Sequence, residues 1–84
     1  MELKAFLREV TLQRGLPGDE RPVAEWVAGR FSEYCDEVRV DAMHSVVGRI
    51  RGEGPRLAFV AHLDEIGLMV TNIEEDGSLR LGQV

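Results

Sequence analysis

Hydrophobic residues recur at intervals of three and four in the first third of the chain, and this spacing predicts two amphipathic helices. The first set is Leu3, Phe6, Leu7 and Val10, and the second is Val23, Trp26, Val27 and Phe31. We expect the first helix to run to about Gln13. We expect the second to begin at Asp19 or Glu20, whose carboxylate would accept hydrogen bonds from the first free amides, and to fade near Tyr34. The connector between them, "GLPGDERP", contains two glycines and two prolines, which favour a tight turn.

After the second helix the pattern changes from helical spacing to alternation. The segment "EVRVDAMHSVVGRIRG" alternates apolar and charged residues on either side of residues 42–45, which is typical of a hairpin with one buried face. The segment "RLAFVAHL" (residues 56–63) is almost continuously apolar, and this pattern predicts a central strand covered on both faces. A further strand, "IGLMVTNI", leads to a turn at Asp76-Gly77 and the start of a return strand.

This order of elements predicts an α/β fold of two helices followed by a mixed sheet. No later helix covers the second face of residues 56–63, so we expect the chain to be incomplete. The uncovered strand would expose apolar surface, and the isolated chain is expected to self-associate or to be partly disordered.

Composition and charge narrow the class of protein. The chain has 84 residues, enough for one small domain, and a net charge of −5, which argues against nucleic acid as a partner. A single cysteine excludes an internal disulfide and a cysteine-rich zinc site. No apolar run approaches the roughly 20 residues that span a bilayer, and the charged N-terminus does not resemble a secretory signal. We therefore expect a cytoplasmic protein without a membrane partner.

Candidate chemistry lies at the end of the predicted central strand. His62 and Asp64 are two residues apart, so on a strand their side chains share one face. A neutral imidazole can bind a metal through one nitrogen while its other N–H donates to a carboxylate that orients the ring. His62 would then be a metal ligand, and Asp64 would be either a second ligand or the orienting carboxylate. The alternative is a histidine and an acid that are merely solvated at a strand end, because metal sites usually show three or more ligands. His44 lies in the predicted hairpin turn, and we expect it to be exposed.

A family resemblance favours the metal-ligand interpretation. The segments "VAHLDEIGLMVTNIEEDGSLRL", "DEVRVDAMHSVVGRIRGEGPRLAFVAHLDEIG" and "GLPGDERPVAEWV" resemble the glutamyl aminopeptidase and cellulase-M family, which includes the tetrahedral aminopeptidases. The resemblance covers nearly the whole chain and is most specific in residues 61–70. The sequence "MHSV" at residues 43–46 departs from the Leu-Gly-Asn-Val typical of that family, a difference confined to the predicted turn.

The resemblance implies a metallopeptidase with two divalent ions, zinc or cobalt, in each full-length subunit. Its fold would be a phosphorylase/hydrolase-like α/β catalytic domain interrupted by a β-rich domain used for dimerisation and larger assemblies. Residues 1–70 would be the N-terminal part of the catalytic domain, and residues 71–84 would begin the β-rich domain. His62 matches the metal-ligand histidine of the family motif, and Asp64 matches the catalytic-site acid that supports it. Glu65 belongs to the signature without an assigned role.

The resulting functional hypothesis is the N-terminal segment of an aminopeptidase that hydrolyses peptides with water activated by two metal ions. Its partners would be peptide substrates and further copies of the same protein. The bridging aspartate, the catalytic glutamate and the other ligands of the family have no counterpart in these 84 residues, so the chain alone is expected to be inactive. The alternatives are a related di-zinc amidohydrolase, such as a deacylase or carboxypeptidase, and a non-catalytic module that pairs through "SLRLGQV".

Overall fold

A computed structural model describes residues 2–84, which form two helices and two β-hairpins. The elements are helix α1 (Leu3–Thr11), helix α2 (Arg21–Phe31), and strands β1 (Glu37–Val40), β2 (Val46–Arg49), β3 (Leu68–Ile73) and β4 (Leu79–Gln83). Both predicted helices are confirmed. The change of period after the second helix correctly predicts where the strands begin.

Local hydrogen bonds set the ends of the helices. The Glu2 carboxylate accepts a hydrogen bond from the Ala5 backbone N–H at 3.2 Å and caps α1, which ends at Thr11 rather than near Gln13. Helix α2 has Glu20 at its N-cap position, but the Glu20 carboxylate accepts from the Gly18 backbone N–H at 2.8 Å. The expected bond from this carboxylate to the first helical amides is therefore wrong, because the connector supplies a competing donor.

Helix α2 carries the buried core of the described chain. Within residues 2–84, the buried hydrophobic side chains are Val23, Ala24 and Val27, all on this helix. Helix α1 packs on α2 through a tilted contact of Phe6 and Trp26, whose ring centroids are 5.3 Å apart. The core is thus a helix pair rather than a sheet.

The first hairpin packs on the other side of α2. Strands β1 and β2 pair antiparallel, with Glu37 opposite Arg49, and the predicted turn at residues 42–45 is confirmed. Gly48 of β2 lies so close to α2 that an added Cβ would be 2.7 Å from both Phe31 Cδ2 and Cys35 Sγ. This glycine therefore allows the sheet to approach the helix.

The predicted central strand is not formed. Residues 50–67 contain no helix or strand, and Leu57, Phe59 and Val60 are 85%, 96% and 92% exposed. A strand needs hydrogen-bonding neighbours on its edges, and no part of the described chain pairs with residues 56–63. The predicted mixed sheet is accordingly replaced by two separate two-stranded antiparallel sheets, and the predicted exposure of apolar surface is confirmed.

The molecule is elongated, and within residues 2–84 the second hairpin packs on neither helix and not on the first hairpin. Strands β3 and β4 pair antiparallel with an irregularity between Val70 and Asn72, and the predicted turn at Asp76-Gly77 is confirmed. The radius of gyration is 17.1 Å, whereas a compact domain of this length would have about 12 Å. Neither helix in residues 2–84 is long and apolar enough to cross a membrane.

Candidate metal-ligand site

The segment that carries His62 and Asp64 is attached to the connector between the helices. The Glu65 backbone N–H donates to the Gly15 carbonyl at 2.8 Å, immediately after the predicted site residues. Gly15 is buried, and an added Cβ there would lie 3.0 Å from Val23 Cγ1 and 3.4 Å from the Leu63 carbonyl oxygen. The small size of Gly15 therefore lets the segment approach helix α2.

His62 and Asp64 are in direct contact. His62 Nδ1 lies 2.9 Å from Asp64 Oδ1 and 2.9 Å from the Asp64 backbone carbonyl oxygen. Both oxygens are acceptors when the carboxylate is ionised, so Nδ1 must carry the hydrogen. In the neutral ring this tautomer leaves the lone pair on Nε2, which is the atom that can bind a metal.

The backbone conformation that produces this contact differs from the predicted one. The sequence predicts that the two side chains meet on one face of a strand, but residues 61–67 are not in a strand. The contact arises because the irregular backbone brings both the carbonyl and the carboxylate of Asp64 to one ring nitrogen. The side chains of His62 and Asp64 are 85% and 45% exposed, so water reaches the free face of the imidazole.

The described residues supply one metal ligand, His62, and not the full set of ligands that a metal centre needs. Within residues 2–84 no group of three or more His, Cys, Asp or Glu side chains is placed to hold a metal ion. A zinc ion in a catalytic site takes three protein ligands and a water. The described chain therefore offers the Nε2 atom of His62, oriented by a carboxylate, as a single donor.

His44, the second histidine, has a different environment from the one predicted. It is half-buried rather than exposed, and its φ of 61° lies in the left-handed region. Asp41 Oδ1 fixes the turn by accepting from the backbone N–H groups of Met43 and Ser45, both at 2.9 Å. His44 thus belongs to the architecture of the hairpin turn.

A cleft lies beside His62, and the sequence pattern does not predict it. It has a volume of about 210 Å³, and residues of α1, the connector, α2 and the 62–65 segment line it. A larger cleft of about 480 Å³ lies between the connector and the β3–β4 hairpin, but Asp19 is the one titratable side chain in its lining. The smaller cleft is the one that adjoins the candidate site, because His62 and Glu65 both line it. No periodicity in the sequence indicates it, since it forms from residues far apart along the chain.

The part of the chain that contains His62 and Asp64 is similar in sequence to known proteins. Residues 44–84 match the profile of the family described as M42 glutamyl aminopeptidase. The chain is 35% identical to a protein of Acetivibrio thermocellus named as an aminopeptidase, over 94% of this chain and 24% of that protein. It is 32% identical to the lysyl aminopeptidase of Pyrococcus furiosus, over 90% of this chain and 22% of that enzyme. It is 28% identical to the glutamyl aminopeptidase of Lactococcus lactis subsp. cremoris, over 96% of this chain and 24% of that enzyme.

These matches confirm the resemblance that the sequence predicted, and they extend on both sides of His62 and Asp64. The chain spans about a quarter of the length of these relatives.

Proposed function

Because this chain is related to the M42 glutamyl aminopeptidases, we propose that it provides the N-terminal part of an aminopeptidase active site. His62 serves there as a metal ligand and Asp64 as the carboxylate that orients it. The reaction is removal of N-terminal residues from peptides. The observation that carries the proposal is the placement of two acceptor oxygens of Asp64 at 2.9 Å from His62 Nδ1.

Asp64 acts on the metal ligand in two ways. Its oxygens hold the Nδ1 hydrogen, so the imidazole presents Nε2 in one orientation, and the negative charge makes the ring a stronger donor. Loss of such a supporting carboxylate typically costs about 10–100-fold in metal affinity or activity. A divalent ion bound at Nε2 would supply polarisation of the scissile carbonyl. We propose two such ions, zinc or cobalt, in each complete subunit.

The 84-residue chain by itself should bind zinc or cobalt weakly and should not hydrolyse peptides. One imidazole nitrogen is too few for a stable catalytic site, which needs about three protein ligands. The remaining ligands and the general base would come from sequence that aligns with the other three quarters of the relatives' length.

The domain assignment, the assembly and the compartment also remain proposals. We propose that residues 71–84 begin a β-rich region through which copies of the protein associate in the cytoplasm. The proposed boundary between residues 70 and 71 falls within strand β3 (Leu68–Ile73), at the irregularity of its pairing between Val70 and Asn72. The hairpin that would enter the second region therefore starts before that boundary.

The proposal is tested first on the chain itself by nitrogen NMR of its two imidazoles. We expect His62 to be the Nδ1–H tautomer, and we expect Co²⁺ to broaden the His62 signals before those of His44. His62→Ala should remove this broadening, and Asp64→Asn should weaken it by about 10–100-fold. His44→Asn is the matched control, because asparagine also tolerates the left-handed backbone of that turn.

The second test measures turnover in the complete enzyme that carries this segment. His62→Ala should abolish the release of a chromogenic amine from an amino-acid anilide and lower the bound metal measured after dialysis. His44→Asn should leave both unchanged. A His62→Ala enzyme with normal metal content and normal rates would refute the site assignment.

A further inference from the structure

One peptide group joins His62 to the connector between the helices. The peptide bond between Asp64 and Glu65 is trans, so its C=O and its N–H point in opposite directions within one plane. The carbonyl oxygen lies 2.9 Å from His62 Nδ1, and the N–H donates to the Gly15 carbonyl at 2.8 Å. The hydrogen bond to Gly15 therefore fixes the direction of a carbonyl that faces the imidazole.

The Gly15 carbonyl is itself held in place by helix α2. The Val23 backbone N–H donates to the Arg14 carbonyl at 3.1 Å and ties the connector to the first turn of α2. Gly15 is buried against the Val23 side chain, which is 4% exposed. Because valine is β-branched, this side chain has little rotational freedom. The position of the Gly15 carbonyl thus depends on the core of the helix pair.

Position 15 is occupied by glycine for reasons of space. The glycines with positive φ in residues 2–84 are Gly18, Gly54 and Gly77, so the φ angle of Gly15 does not require a glycine. An added Cβ at position 15 would lie 3.0 Å from Val23 Cγ1, which is closer than ordinary van der Waals contact. Alanine would therefore push the connector away from α2 and move the carbonyl that accepts from the Glu65 N–H.

The connector contacts the same segment a second time, after the motif. An added Cβ at Gly67 would overlap Leu16 Cδ2 and would lie 3.1 Å from Leu16 Cδ1. Leu16 and Gly67 are both half-buried. The hydrogen bond between Gly15 and Glu65 is therefore part of a packed contact between the connector and residues 63–67.

We propose that Gly15 is a positioning residue for His62. Its carbonyl fixes the peptide group between Asp64 and Glu65, and this peptide group holds the Nδ1 hydrogen of His62 together with the Asp64 carboxylate. Nε2 is then presented in one orientation. The inference rests on the proposed function, because that function makes Nε2 the metal-binding atom. It adds that the packing of the connector on α2 is coupled to the orientation of the metal ligand.

The inference is tested on the whole chain without metal, in the presence of a chelator and at about pH 8.5, where imidazole is neutral. Nitrogen NMR gives the ratio of the Nδ1–H to the Nε2–H tautomer of His62. Gly15→Ala should lower this ratio by about 2–10-fold, the effect of losing one hydrogen bond. Gly52→Ala should leave it unchanged and is the matched control, because a Cβ at Gly52 has no neighbour within 4 Å.

A second substitution separates positioning from a general loss of stability. Val23→Ala removes the methyl groups on which the new Cβ would press, so Gly15→Ala combined with Val23→Ala should restore the tautomer ratio. The free energy of unfolding should nevertheless stay below that of the unmodified chain, because Val23→Ala removes buried apolar groups. If Gly15 had only a structural role, the double variant would lose the tautomer preference together with its stability.

A measurement on the unmodified chain keeps the inference testable if a variant does not fold. The Glu65 amide should exchange with deuterium more slowly than the amide of Phe59, which lies in the exposed segment. Equal exchange of the two amides would overturn the role of Gly15, and so would an unchanged tautomer ratio in Gly15→Ala. Failure of Co²⁺ to broaden the His62 signals would instead count against the proposed function, since the tautomer ratio is measured without metal.

Discussion

At the scale of single residues, the space around a glycine Cα decides whether that glycine can be replaced by a larger residue. Gly48 lies on strand β2 where the hairpin meets helix α2, and a Cβ there would be 2.7 Å from both Phe31 and Cys35. Gly29 lies within helix α2, and a Cβ there would have no neighbour within 4 Å. A side chain is therefore excluded by close neighbours at Gly48 but not at Gly29.

This contrast gives a paired prediction for alanine substitution. Gly48→Ala should lower the free energy of unfolding by about 1–3 kcal/mol, because the methyl group presses on an aromatic ring and a sulfur at once. Gly29→Ala should raise it by about 0.5–1 kcal/mol, because alanine loses less backbone entropy than glycine in a helix. Urea denaturation followed by circular dichroism measures both. A Gly48→Ala chain as stable as the unmodified one would show that the hairpin is not held against α2 in solution.

The pair of His62 and Asp64 belongs to the same scale. The two residues are separated by one position, so the tautomer of the imidazole is set by a local contact of 2.9 Å. A local contact of this kind needs no completed sheet. The candidate ligand is therefore oriented even though residues 56–63 form no strand.

At the scale of elements, the turn of the second hairpin depends on a carboxylate. Asp76 Oδ1 accepts hydrogen bonds from the Ser78 hydroxyl at 2.6 Å and from the Ser78 backbone N–H at 2.9 Å. These bonds stabilise the ionised form and hold the pKa of Asp76 below its usual value of 3.8. The pKa in the folded state is thus lower than in the unfolded state, so ionisation of Asp76 favours the folded hairpin.

The sign of this shift predicts how the β3–β4 hairpin responds to acid. The stabilisation should be fully present above the pKa of an unfolded aspartate and should be lost as the pH falls through the lowered pKa of Asp76. An NMR pH titration of the Ser78 amide measures the midpoint. Ser78→Ala should move the midpoint upward because the hydroxyl donor is gone, and Asp76→Asn should remove the step. An unchanged midpoint in Ser78→Ala would contradict the assigned cause.

At the scale of the whole molecule, large apolar side chains of residues 56–63 are exposed to solvent. The dimensions are 63 × 28 × 17 Å, and the extended segment with Leu57, Phe59 and Val60 lies almost fully in solvent. Exposed contiguous apolar residues and unpaired backbone groups are the usual causes of strand-to-strand association.

We therefore predict that the isolated chain self-associates through this segment. Sedimentation velocity should show a weight-average mass that rises with concentration, and Phe59→Ser should reduce that rise. Met43→Ser is the matched control, because Met43 is 81% exposed but lies in the first hairpin turn. A monomer at all concentrations, or an equal effect of the two substitutions, would refute association through residues 56–63.

Much of the architecture follows from the sequence by itself. Helical spacing, alternation and turn residues act over a few positions, so the two helices and both hairpins could be predicted from them. The motif residues His62 and Asp64 could also be named in advance from their spacing, but their contact forms on an irregular backbone and not on the predicted strand.

The pairing of the strands and the position of the cleft depend on tertiary structure. An apolar run such as residues 56–63 favours a strand, but a strand forms only where neighbours complete its hydrogen bonds, and within residues 2–84 none does. The cleft that joins Gly15, Val23, His62 and Glu65 likewise depends on the contact of the connector with the motif, a pairing of distant residues that no local pattern encodes. Local preferences thus determined the elements, and non-local contacts determined which of them pair and where the cleft forms.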